Sequence, residues 1–184
     1  MSKTLLRLSL LLPLAFVRLS AGVLTGDTVS LIHYFPVQGS VYHDLGSQLI
    51  PTGNYSYENG VYTAQVYDNY IDMTFICHGC QWGDFTGILP NAFNGPVFTR
   101  LSDADFTNVT IDPTTNYAGF NSSRLSFTAS QIIVDLKGLS INGFIRLNLE
   151  GETYVPAATV PEPATMAIAG AGLGALVLFR RRKS

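Results

Sequence analysis

Two strand-forming runs, Tyr55-Ser56-Tyr57-Glu58 and Val61 to Tyr67, flank Asn59-Gly60, and this arrangement constrains the fold more than any other stretch of the chain. Asn-Gly accepts positive φ at both central turn positions, which matches the twist of two antiparallel strands, so a hairpin with a two-residue turn is expected. Similar β-branched and aromatic runs recur on both sides of it. Thr28 to Phe35 reads as a strand stopped by Pro36, Val37 to Leu49 is expected to hold another short strand, and Tyr70 to Ile76 alternates in part. Phe85 to Pro96, rich in Gly, Pro and Asn, predicts a long loop. Val97 to Leu101, Phe106 to Ile111, Leu125 to Ala129, Gln131 to Leu136 and Gly143 to Leu149 bring the expectation to about eight or nine strands, without an amphipathic helix. Short strands at regular spacing predict an all-β chain forming a single β-sandwich with jelly-roll or Greek-key connections.

Both ends of the chain depart from this pattern. Lys3 and Arg7 precede the apolar run Leu8 to Val17, which is followed by Ser20-Ala21-Gly22. Residues 1–22 therefore read as a secretory signal peptide, with cleavage expected after Gly22 and the small residues Ser20 and Gly22 flanking Ala21. At the other end, residues 156–163 form a linker containing Pro161-Glu162-Pro163, whose two prolines hold an extended segment. Residues 164–179 carry no charge and are expected to form a single transmembrane helix. At about 1.5 Å per residue that helix covers roughly 24 Å, short of a hydrocarbon core of about 30 Å, so thinning or snorkelling must accompany insertion. Arg180, Arg181, Arg182 and Lys183 then stop transfer and keep residues 180–184 in the cytoplasm. The folded part is left as residues 23–155, enough for one domain with its own core.

The order of the C-terminal pieces carries a resemblance. Val160-Pro161-Glu162-Pro163-Ala164-Thr165, the Gly-rich apolar span ending Gly172-Leu173-Gly174-Ala175-Leu176, and the basic cluster from Arg180 to Lys183 are together similar to the PEP-CTERM sorting signal of bacterial envelope proteins. The resemblance covers about 25 of 184 residues. It implies passage through a secretion translocon, a transient stay in the inner membrane, and processing near Pro-Glu-Pro by exosortase, an intramembrane thiol transpeptidase. After processing, the protein is expected at the cell surface or outside the cell. The block from Phe93 to Leu139, with Asn116 to Asn121 and Ser123 to Phe127 inside it, also resembles a β-rich domain recurrent among PEP-CTERM proteins. That domain has no assigned activity, so it adds to the fold expectation alone.

Charge narrows the partners. The net charge of −2 hides an acidic domain: between residues 23 and 160, Arg100, Arg124, Lys137 and Arg146 face twelve carboxylates, a balance of −8. A surface of that sign repels phosphate backbones, so no nucleic-acid partner is expected, whereas divalent cations and neutral glycans are compatible with it.

Cys77-His78-Gly79-Cys80 is the most conspicuous cluster of reactive side chains. In an exported chain the two cysteines are disulfide candidates that would close a small loop. Haem attachment requires His directly after the second cysteine, where Gln81 stands. A thioredoxin-like role expects a βαβ setting, and zinc needs a fourth ligand that Cys77, Cys80 and His78 do not supply. His33, His43 and His78 have no Gly-x-Ser-x-Gly elbow to serve, so no catalytic residues are assigned. No cofactor is expected. Calcium is the one cation whose hard oxygen ligands are plentiful, in Ser102 to Asp105 and Asp112 to Asn116, although solvated acidic turns look the same.

The aromatics suggest a ligand as well as a core. Trp82 and the tyrosines at 55, 57, 62, 67 and 70 could stack on sugar faces or simply tie strands together. The resulting expectation is a non-enzymatic, structural or adhesive protein of the cell surface or exopolysaccharide matrix. A carbohydrate-binding module is the first alternative and a secreted hydrolase the second.

Overall fold

The computed structural model describes residues 22–51, 53–57 and 60–155. The expected signal peptide before Gly22, the linker, the transmembrane segment and the basic tail lie outside the described residues. Among those described, no helix is long and apolar enough to cross a membrane.

Among the described residues, ten strands form two antiparallel sheets. The first has the order β2-β1-β6-β9-β8, built from β1 (Thr28–Tyr34), β2 (Val41–Leu49), β6 (Gly95–Arg100), β8 (Leu125–Phe127) and β9 (Gln131–Val134). The second has the order β3-β4-β5-β10-β7, from β3 (Gly53–Ser56), β4 (Tyr62–Val66), β5 (Tyr70–Gln81), β7 (Phe106–Ile111) and β10 (Ser140–Gly151). One hydrophobic cluster joins the inner faces of both, so the all-β expectation holds as a two-sheet sandwich.

The alternation in the strands explains that packing. In β1 the inward positions are Val29, Leu31 and His33, in β4 Tyr62, Ala64 and Val66, and in β5 Ile71, Met73 and Phe75. A period of two puts each set on one face. Facing them, Phe98, Ile132 and Val134 complete the first sheet's inner side, and Ile145, Leu147 and Leu149 complete the second's.

Three differences from the sequence expectation bear on function. The Tyr55 hairpin exists, with Tyr55 opposite Ala64 and Ser56 opposite Thr63, but its connection is longer than the two-residue turn that Asn-Gly predicts. Gly60 takes φ +73° and donates its N–H to the Tyr57 carbonyl, while the Tyr57 N–H donates to Tyr62. Gly60 thus supplies the left-handed position, as glycine does at the end of longer hairpin loops.

Second, β5 does not stop at Ile76 but runs on to Gln81. Its partner β10 is likewise longer than expected, reaching from Ser140 to Gly151. Ile76 lies opposite Asn142 and Gln81 opposite Ser140, so β5 carries three more residues than β10 over that interval. An odd insertion reverses the alternation. Trp82 therefore turns inward, although Ile71, Met73 and Phe75 face the core from odd positions. Third, β6 begins at Gly95, two residues earlier than expected, and pairs with β1 on one side and β9 on the other.

Candidate functional site

Two buried polar centres and one disulfide stand out among the described residues. The first centre surrounds His33. Its ring is fully buried and lies 5.1 Å from Trp82, stacked at 27°, and 4.8 Å from Tyr57. Tyr57 in turn stacks on Tyr62 at 4.9 Å. His33 Nε2 is 2.8 Å from Asn94 Oδ1, and the Asn94 amide nitrogen donates to the Gly83 carbonyl at 3.3 Å. The amide oxygen therefore faces the ring, and the proton of the neutral imidazole sits on Nε2. His33 Nδ1 has no partner among the described residues. Burial pushes its pKa down to about 4, with the Asn94 bond opposing and His43 adding to the fall. Such a histidine is a neutral core residue at any ordinary pH.

The ring wall is held by further hydrogen bonds. Trp82 Nε1 donates to the Tyr117 hydroxyl at 2.9 Å, and Phe75 meets Tyr117 edge-on at 4.6 Å. Burial raises the Tyr117 hydroxyl to about 12. Tyr117 approaches β10 at Gly143, whose φ is +130° and where a Cβ would come within 3.1 Å of Tyr117 Cα, so the close approach requires glycine.

The second centre is Arg100 at the end of β6. Its side chain is fully buried, and Nε donates to Asp27 Oδ2. Nη2 donates to the carbonyls of Val23 at 2.7 Å and Glu152 at 2.8 Å, and the guanidinium lies 5.5 Å from the Phe106 ring centre. Asp27 is satisfied in turn by the Ser102 hydroxyl and the Thr28 N–H, both at 2.6 Å. One guanidinium thus ties the start of the domain to its end. Sequence reasoning missed this centre; the available signal was one arginine in the apolar run Val97 to Leu101 and one aspartate just ahead of the first strand.

Cys77 and Cys80 are joined by a disulfide. It closes the segment that carries the extra residues of β5, with Gly79 at φ +80°, and so braces the bulge that turns Trp82 inward.

The C-terminal stretch supplies the deciding comparison: residues 159–183 match the family model of the PEP-CTERM protein-sorting motif. The chain carries a PEP-CTERM sorting motif. The match covers Val160, Pro161, Glu162, Pro163, Ala164 and Thr165 and the basic residues Arg180, Arg181, Arg182 and Lys183, all of which lie outside the described residues. No curated protein and no solved structure matches the chain.

A PEP-CTERM motif implies an exported precursor anchored in the membrane, processed by an exosortase-type enzyme and then placed at the surface. In the domain ahead of the motif the Glu152 carbonyl lies on the Arg100 guanidinium, so the chain is gripped by the fold shortly before the motif begins. The other sequence candidates are dispersed. His43 lies on β2 opposite His33, and Asp112 and Ser102 of the two acidic turns are engaged in hydrogen bonds. Asp112 Oδ1 accepts from the Thr114 N–H and hydroxyl and Oδ2 from Asn148, which holds the carboxyl down at about 2. Ser102 is engaged with Asp27. Among the described residues no group of three His, Cys, Asp or Glu side chains could hold a metal ion.

The aromatic residues considered for sugar stacking fall into two groups. Tyr55, Tyr57, Tyr62 and Trp82 are buried, so their faces belong to the core. Tyr67 and Tyr70 are half-buried on the outer side and stack on each other at 4.4 Å.

Proposed function

We propose that this protein is an exported, non-enzymatic component of the bacterial cell surface or exopolysaccharide matrix. Residues 1–22 direct it to the translocon, residues 164–179 hold the precursor in the inner membrane, and an exosortase-type transpeptidase processes it near Pro161-Glu162-Pro163. The sorting motif at residues 159–183 is the single observation that carries this reading. The described domain supports the non-enzymatic part: His33 is enclosed by aromatic rings, and Arg100 and Asp27 are consumed by the clamp. None of these groups can reach a substrate.

Intact mass of the protein from its native host tests the reading. A chain ending near Pro161 to Pro163, with or without an added group, is expected, and reduction should add about 2 Da at Cys77 and Cys80. A mass that retains Arg180 to Ser184 would overturn the sorting step. A hydrolase reading would be revived by turnover on a panel of polysaccharide and peptide substrates.

A second reading, glycan binding, is favoured by one observation away from the tyrosine hairpin. Phe35 lies 5.7 Å from Tyr42 and 5.3 Å from Phe85, and Tyr42 is 55% and Phe85 38% exposed. Exposed aromatic faces of this kind stack on apolar sugar faces. Saturable binding to a polysaccharide array that is lost in Tyr42→Ala would establish it, and absence of binding would remove it.

A further inference from the structure

We propose that the carboxylate of Asp68, in the turn between β4 and β5, is the receiving site for the α-ammonium group of Val23 that export creates. The proposal rests on the reading that residues 1–22 are removed after Gly22. Hydrolysis of the Gly22–Val23 amide by a signal peptidase consumes one water: the carbonyl carbon takes the hydroxyl and departs as the Gly22 carboxylate, and the nitrogen takes protons and becomes an ammonium group.

Four observations place that group beside Asp68. The Val23 N–H already donates to Asn69 Oδ1 at 3.0 Å, so the nitrogen is held against this turn. The next residue continues the contact, with the Leu24 N–H donating to the Asp68 carbonyl at 2.9 Å. Gly22 is pressed on the same side chain: a Cβ on it would lie 2.2 Å from Asp68 Cβ and 3.0 Å from both the Asp68 carboxyl carbon and Asn69 Oδ1. Finally, Asp68 Oδ1 is buried and has no hydrogen-bond partner among the described residues. A buried carboxylate oxygen without a donor is costly, and an ammonium group at Val23 brings two donors more than the peptide N–H it replaces.

The surrounding charges favour the ammonium form. Arg100 from β6 holds the Val23 carbonyl, but its charge is met by Asp27 ahead of β1. Asp105 and Glu152 give their carbonyls to the same guanidinium. The Asp105 and Glu152 carboxylates add negative charge to the same region, and Asp68 is the carboxylate of the turn that holds the amine nitrogen. The turn is also fastened to the end of the domain, because the Leu149 N–H donates to the Asn69 carbonyl at 2.8 Å. Signal-peptide removal would therefore complete a lock joining the new N-terminus, the β4–β5 turn and the last strand.

Amine footprinting of the full chain exported by its native host tests this. The purified protein is acylated between pH 6 and pH 10, and the N-terminal peptide is quantified by mass spectrometry. The expected peptide begins at Val23, and its amine should titrate about one unit or more above the ordinary 7.7–8.0. Asp68→Asn should return it to or below that range and speed acylation at pH 7.5 about tenfold, the equivalent of one pKa unit. An amine that titrates at or below about 8 in the unaltered protein overturns the site, because a carboxylate within reach would hold the ammonium form above that range. So does a titration that Asp68→Asn leaves unchanged. If that variant does not fold, the titration of the unaltered protein decides alone. A peptide beginning at another residue of the domain overturns the site while leaving export standing, and a chain that retains Met1 overturns both.

Discussion

Two arginine–aspartate pairs sit in this domain under opposite conditions. Arg146 on β10 lies directly across from Asp72 on β5, with Nε to Oδ1 and Nη2 to Oδ2 both at 2.7 Å, a bidentate pair on the outer side of the second sheet. Arg100 meets Asp27 inside the fold, where neither side chain is more than 2% exposed. The geometry of the outer pair is regular, and Arg146 also covers the Tyr70 ring at 4.6 Å. Water screens such a pair and compensates each member when the other is lost, so its net contribution is small. The inner pair has no such substitute. Both side chains were removed from water on folding, and the carbonyls of Val23 and Glu152 complete the hydrogen bonds of the guanidinium. An ion pair thus matters to this fold by what is stranded when it breaks.

Arg100→Met should have the largest effect. It leaves Asp27 buried without its cation and the carbonyls of Val23 and Glu152 without their shared donor, and should cost about 3–5 kcal/mol in urea denaturation at pH 7. Adding Asp27→Leu should recover part of that loss, since no charge is then stranded. A loss below about 1 kcal/mol in the single variant would show that water reaches the pair.

His33 sharpens the same point, as a buried ionisable group with one neutral partner. Its pKa is lowered from 6.5 to about 4, so the unfolded chain takes up the proton first as pH falls. Its contribution is fully present above about pH 6.5 and is lost progressively toward pH 4, a drop on the order of 3 kcal/mol. His33→Phe should flatten that limb of a stability–pH curve, although it also strands the Asn94 amide oxygen. An unchanged acid limb in the variant would mean that His33 does not titrate with unfolding.

Asp72→Asn should have the smallest effect, at most about a fifth of that of Arg100→Met, and 1 M salt should reduce it further. Equal losses from the two variants would remove the distinction between the pairs.

Much of the sandwich was legible because alternation is a local property. Thr28 to Tyr34 shows its inward set in its own spelling, and Phe106 to Ile111 forms a strand over the same residues that the sequence predicts. The extension of β5 through Cys77 to Gln81 was not legible, because glycine and cysteine within a bulge look like the end of a strand. Ser140-Ile141-Asn142-Gly143 hid the start of β10 for the same reason. Aromatic residues posed a different difficulty. Nothing in Tyr55, Tyr57, Tyr62 or Trp82 tells a sugar-facing ring from a core ring, since both uses need the same apolar face; the odd insertion in β5 decided it for Trp82.

The sorting motif and the all-β class are both legible in the linear chain. A sorting motif is read in chain order by composition and spacing, and a strand pattern repeats every two residues, so neither requires a distant partner. The tertiary structure alone brought together Arg100 and Asp27, 73 residues apart, put Val23 and Glu152 on one guanidinium, and set the Val23 N–H against Asn69. Those meetings follow from which strands pair and which ends of a sheet coincide, and pairing across such separations is settled by burial of the whole inner face rather than by any local run of residues.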